Sequence, residues 1–218
     1  MTSRTALFSR HRRICAVLAA LFLLPATGCT GGGTTPGATA APESSGPTAS
    51  PTPSATPTPT ASYKPADASG RAQNVPVPVL PEAAKAETKE GLEAFARYWF
   101  QLLSYGYETG DVSRIEQITS SACRACERAK AVITGWNEGG RWLVGGQVDT
   151  PSVSTTFVVA PDGNYQVAIQ GSQRAISYYN ADGKLHQADP KPDDTGNLML
   201  AVFRDGVWYV NNIQPIVG

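Results

Sequence analysis

The apolar residues of this chain change their period once, at Gly139-Gly140, and that change limits the fold more than any other feature of the sequence. Before it, in EGLEAFARYWFQLLSYGYETGD, Leu92, Phe95, Ala96, Trp99, Leu102 and Leu103 recur at three and four, the spacing of one helix face. Thr109-Gly110 predicts the end of that helix. Asp111 predicts the cap of a short second helix running to Ile118, and Ser120 or Ser121 the cap of a third over CRACERAKAVITGWNE. After the glycines the pattern alternates, with Val153, Thr155, Phe157 and Val159 in SVSTTFVV and Tyr165, Val167 and Ile169 in YQVAIQ. Turn signals at PDGN, Ala181-Asp182-Gly183 and Arg204-Asp205-Gly206 divide the strands into hairpins, and the glycine pair of WLVGGQVD predicts a bulge or a sharp bend. Helices first and strands second predict an α+β domain, about three helices packed on one face of a strongly bent antiparallel sheet of about four to six strands. The Trp99 face of the first helix is expected on the strands that carry Val167 and Trp208.

Upstream of this domain the composition cannot make a core. Residues 30–62 are Pro, Thr, Ser, Ala or Gly at 32 of 33 positions, the exception being Glu43. Such a segment buries too little apolar surface to offset its ordering entropy. Residues 29–74 are therefore expected to be a disordered tether, and residues 75–218 a single domain. NVPVPVLP is its extended lead-in, because Pro76, Pro78 and Pro81 forbid helix. Ser and Thr supply 14 of the 33 residues of 30–62, so the tether is a compositional candidate for O-glycosylation.

The first 28 residues read as an export signal. Arg4, Arg10, Arg12 and Arg13 precede an uncharged apolar run of 11 residues, Ile14 to Leu24, too short for the ~20 residues that span a bilayer as helix. LPATGCTGGG then resembles the lipobox of bacterial lipoproteins, with Ala26 where the family usually has Leu. That resemblance implies cleavage before Cys29, acylation of its thiol, and a chain held on the outer face of the cell membrane. Residues 1–28 carry four of the 18 basic residues and none of the 18 acidic ones, so the remainder has 14 basic and 18 acidic, a net charge of −4. That balance argues against a nucleic-acid partner.

Two cysteines three apart, Cys123 and Cys126, sit in SACRACERAK. A four-ligand zinc site needs further donors, and a haem anchor needs His where Glu127 stands. A disulfide staple at the start of the third helix is the reading preferred, since disulfides persist outside the cell, with a redox pair as the alternative. The sequence contains no nucleophile elbow, S-x-x-K, H-E-x-x-H, P-loop or dinucleotide fingerprint, and no metal or other cofactor is expected. A triad would have to use His186, which lies beside the polar run QADPKPDDTG and reads as a solvated loop histidine. Asp193-Asp194 reads as a solvated acidic pair.

EGLEAFARYWFQLLSYGYETGD, SSACRACERAK, EGGRWLVGG and the closing GVWYV together resemble a group of uncharacterised lipoproteins of high-GC Gram-positive bacteria. Their shared domain, of unknown function, is similar to the nuclear-transport-factor-2-like, cystatin-like cone superfamily. The resemblance covers about Val75 to the C-terminus. It implies a pocket between the first helix and the concave sheet, and carries over no catalytic residues. Tyr98, Tyr105 and Tyr178 are candidates for that pocket by type, as are Tyr179 and Asp149. Trp136 and Trp142 flank the glycine turn and are candidates for its rim, whereas Trp99 and Trp208 read as core. The expected function is a lipid-anchored envelope module that binds a small ligand, a wall component or an envelope protein without catalysis. An isomerase or cyclase using the same cone is the rival from another class, and a thiol oxidoreductase the third reading.

Overall fold

A computed structural model of the chain describes residues 61–216. The signal segment 1–28, the lipidation site Cys29 and residues 30–60 of the tether lie outside the described residues. Three helices precede seven strands: α1 (Lys89–Thr109), α2 (Ser113–Gln117), α3 (Arg124–Asn137), β1 (Trp142–Gly145), β2 (Val148–Val159), β3 (Tyr165–Gln173), β4 (Ile176–Tyr179), β5 (Leu185–Asp189), β6 (Thr195–Arg204) and β7 (Val207–Pro215). A 3-10 turn, Glu82–Lys85, leads into α1.

The helix boundaries follow local chemistry. Thr88 caps α1 by accepting from the Gly91 N–H, and Gly110 closes it in the left-handed region at φ 83°. All six expected apolar residues of α1 are buried, and so are Tyr98, Phe100 and Tyr107, so the helix is covered on more than one face. Asp111 accepts from the Ser113 N–H at 2.9 Å just ahead of α2, but Val112 holds the N-cap place, without a side-chain cap, so the expected Asp111 cap lies one residue too early. The cap of α3 differs from expectation. Cys123, not Ser120 or Ser121, holds that place, and its sulfur accepts from the Cys126 N–H at 3.3 Å. Ser120 instead closes the preceding turn, its hydroxyl accepting from the Ala122 N–H and its carbonyl from the Cys123 N–H.

All strand pairs are antiparallel, in two ladders ordered β1-β4-β5 and β2-β3-β6-β7. The two ladders are joined at a bend. The chain crosses it once at Gly145-Gly146, between β1 and β2, and again at Arg174-Ala175, between β3 and β4. The Gly146 N–H donates to Ala175 O at 3.1 Å and the Arg174 N–H to Gln147 O at 2.9 Å, so hydrogen bonding continues through the corner. Both glycines have positive φ, 86° and 80°, and a Cβ at Gly145 would lie 2.0 Å from Ala175 O. The expected bend is thus present, and among the described residues seven strands form rather than four to six.

The core lies between α1 and the four-stranded ladder. Val153, Thr155, Tyr165, Val167, Ile169, Met199, Ala201, Trp208 and Val210 point inward. Phe95 of α1 meets the Trp208 ring at 6.3 Å between centroids, and Trp99 donates from Nε1 to Thr119 Oγ1 at 2.8 Å. Thr119 in turn bridges to Val210 of β7. One expected inward residue is reversed. Val159 is exposed, because the register shifts between Thr155 and Val159, where Phe157 adopts φ 55°, and the shift turns the strand end over.

Residues 61–74 also differ from the expected tether. Lys64 pairs with Gln73 and Asp67 with Gly70, making a short hairpin. It is fastened to the domain by Trp142 Nε1–H donating to Asp67 O at 2.9 Å, by Arg71 donating to the carbonyls of Asn137 and Arg141, and by Tyr63 O–H donating to Glu108 at 2.9 Å. The folded body therefore begins before Asn74. Its start carries no apolar period because hydrogen bonds, rather than a buried face, hold it.

Candidate functional site

A groove of about 330 Å³ lies between α1 and the concave side of the sheet. Phe100, Leu103 and Tyr107, spaced by three and four, form its helical wall. Val148 on β2, Gly171 and Gln173 on β3, and Asn197 on β6 form the opposite wall, and Pro192 and Asp193 of the β5–β6 connection stand at the mouth. Gly171 leaves room there, since a Cβ would lie 3.2 Å from Asn197 Nδ2. Ser104 sets the distance between the walls, its Oγ accepting from the Val148 N–H at 2.9 Å. At the inner end the Tyr107 ring lies against Gly146, where a Cβ would come within 2.9 Å of it.

Apart from Asp193 at the mouth, the groove's polar groups are neutral donors and acceptors. Burial pushes the Tyr107 phenol up, and the Gln173 amide beside it offsets that in part. Gln173 is itself oriented by donating to Gly146 O at 3.2 Å. Tyr178, near Tyr107, is pushed up to about 12, first by burial and then by the neighbouring Asp189 carboxylate. Both phenols therefore keep their protons at neutral pH and act as hydrogen-bond donors, not as bases.

The seven candidate pocket and rim residues are not gathered in one place. Tyr98 and Tyr105 are seven apart on α1 and, at about 100° per residue, lie roughly opposite the groove stripe. Tyr98 instead lines a separate cavity of about 110 Å³ with Leu80, Phe95, Ile118 and Trp208. Tyr105 is half-buried, and Phe100 and Tyr107 take the places expected for the two tyrosines. Trp136 and Tyr178 do meet, with centroids 5.4 Å apart, and His186 stands edge-on to Trp136 at 5.0 Å in a shallow hollow of about 300 Å³. His186 is exposed, as expected, but belongs to strand β5 rather than a loop. Arg141 covers Trp136 at 4.5 Å. Trp142, expected at a rim, is buried at 7 % exposure, stacked on Tyr179 at 5.3 Å and covered by the 61–74 hairpin. Asp149 is exposed and pairs with Arg174 at 3.4 Å.

Cys123 and Cys126 are bonded, with Cα atoms 5.3 Å apart, and both are buried, at 0 % and 2 % exposure. Beside them Lys130 of α3 pairs with Glu116 of α2, at 3.5 Å, and with Glu127 one turn back in α3, at 2.7 Å, so one ion pair crosses from α2 to α3.

Residues 61–214 match a family described as a family of unknown function, DUF6318. The chain belongs to the DUF6318 family. The match begins with the 61–74 hairpin, which places that segment inside the DUF6318 domain. No curated protein matches the sequence. Among solved structures, Aln2 from a Streptomyces species is similar at 11% identity and a TM-score of 0.36, over 57% of this chain and 88% of that one. The intermembrane space region of the chloroplast protein ARC6 is similar at 11% identity and a TM-score of 0.38, over 60% and 98%. At those scores neither likeness bears on the function of this DUF6318 protein.

Proposed function

We propose that this DUF6318 protein is a lipid-anchored envelope module that binds a small ligand in the groove between α1 and the sheet, without catalysis. The observation that carries the binding role is the groove itself: an aromatic and aliphatic helical wall facing oriented amides, with a buried phenol that stays protonated. Sites for small ligands share this make-up, an apolar wall with a few placed polar groups. The anchoring role rests on the basic, apolar and small-residue pattern that ends at Cys29.

The rival, an isomerase-like enzyme, draws on the Tyr178–Asp189 pair. A general base works best with a pKa near the operating pH, and a phenol at about 12 is far from it. A thiol oxidoreductase needs an accessible sulfur, and both sulfurs here are enclosed.

Two experiments test the proposal. Cys29→Ser should release the protein from the membrane fraction or block its processing; an unchanged detergent-phase partition would refute anchoring. In the full chain, amide signals of Gly171, Gln173 and Asn197 should move on screening small amide- and hydroxyl-bearing compounds. Gly171→Val should fill the groove and abolish those shifts while leaving the fold intact. Shifts that persist in the filled variant would move the binding site elsewhere.

A further inference from the structure

We infer that the ligand of the groove carries a primary ammonium group, held by Asp193, and amide groups read by Tyr107, Gln173 and Asn197; this rests on the groove being the binding site. Among the described residues, Asp193 is the one charged side chain lining it. The neighbouring lysine, Lys191, is engaged by Asp194 at 2.8 Å, and Asp193 has no ion-pair partner among the described residues. The carboxylate at the mouth is thus left without a counter-charge, while the interior is neutral. An anionic ligand would meet Asp193 with nothing to compensate it, and a purely apolar one would strip water from the side-chain oxygens of Gln173 and Asn197, whose amide nitrogens already donate to Gly146 and Thr195. A cation at the mouth satisfies Asp193, and Phe100, Leu103 and Tyr107 line the groove behind it for an apolar stem. A diamino-acid side chain in an amide-linked backbone combines these features: an ammonium on an apolar stem, with peptide groups beside it.

The test uses the full chain and four probes, followed by the signals of Gly171, Gln173 and Asn197. They are N-acetyl-lysine methylamide, its norleucine and glutamate counterparts, and 1,5-diaminopentane, which has ammonium groups but no amide. The lysine probe should bind tightest, the glutamate probe weakest, and the diamine more weakly than the lysine probe. Asp193→Asn should weaken the lysine probe about fivefold, the scale of a solvent-facing ion pair, and leave the norleucine probe unchanged. Asp194→Asn, which frees Lys191 to pair with Asp193, should also weaken the lysine probe and leave the norleucine probe unchanged. Norleucine or glutamate binding in the groove as tightly as lysine would overturn the ammonium assignment while leaving the groove as the binding site. A diamine equal to the lysine probe would overturn the amide part. Silence of all four probes would overturn the inference as a whole, and the screen with the filled Gly171→Val variant judges the groove separately.

Discussion

The two ladders of the sheet are continuous through one corner, yet they are stabilised in different ways. The four-stranded ladder buries an alternating row from β2 to β7 against α1, and its centre, Trp208, touches Phe95, Tyr165 and Phe203. The three-stranded ladder adds only Leu143 of β1 and Ile176 of β4 to that core. β5 is exposed along Leu185–Ala188, and the rest of the ladder is held by paired rings, Trp142 stacked on Tyr179 and Trp136 tilted on Tyr178, and by the 61–74 hairpin bonded to Trp142. Apolar burial is additive and dense in the first, while the second depends on a few directional contacts. The groove opens beside the dense ladder, with its mouth formed by the connection that returns from the sparse one. A rigid wall facing an exposed loop suits a binding site.

The contrast is broken most severely by Trp208→Ala. The side chain is 1 % exposed and donates from Nε1 to Ala86 O at 3.1 Å, so removing it should cost about 3–5 kcal/mol in urea unfolding. A loss below about 1 kcal/mol, the size of one hydrogen bond, would mean the dense ladder is not the source of stability.

The disulfide sits at the head of α3, just after Ser120 donates from its N–H to Val210 O of β7 at 2.8 Å, so it belongs to the dense ladder's side. The double change Cys123→Ser and Cys126→Ser should cost about 2 kcal/mol and leave the fold intact, since so short a loop restrains the unfolded chain little. Non-reducing alkylation of envelope-derived protein should find no free thiol at either position. Two alkylated sulfurs there would overturn the staple.

Trp142→Phe sharpens the contrast. It keeps a ring on Tyr179 but removes the bond to Asp67 O, so global stability should fall by only about 1 kcal/mol. Hydrogen exchange of residues 61–74 should rise while β3 and β6 stay protected. A uniform loss of protection would show the two ladders to be one cooperative unit.

The smallest effect belongs to Tyr178. Its phenol pKa, about 12, exceeds the ordinary 10.0, so the native state holds the proton more tightly than the unfolded chain does. Its contribution is complete below pH 10.0 and is lost as pH rises through about 12. Tyr178→Phe should abolish the latest-titrating phenol in an absorbance titration and change stability at pH 7 by no more than about 0.5 kcal/mol. A variant curve unchanged at its alkaline end would assign that phenol elsewhere.

The helical period to Gly110, the three hairpin turns and the bend at Gly145-Gly146 were all legible, because each rests on local backbone preference or on a repeat that survives in one dimension. The 61–74 hairpin was not legible. YKPADASGRAQN has no apolar stripe, and its anchors Asn137, Arg141 and Trp142 lie over sixty residues away. Val159 was misplaced for a related reason: alternation assumes an unbroken register, and the irregularity at Phe157 breaks it.

The sequence by itself determined the switch from helix to strand, the cysteine pair at the head of α3, and the aromatic character of α1. Only the tertiary structure decided which aromatic residues face the groove. α1 is apolar around most of its circumference, so its own pattern cannot say how it is rolled, and Tyr98, Tyr105 and Tyr107 look alike in one dimension. The roll is set by contacts from distant strands: the Ser104–Val148 bond, the Phe95–Trp208 packing and the close approach of Gly146 to the Tyr107 ring. These put Phe100 and Tyr107 in the groove and turn Tyr98 into the cavity on the other side of the helix.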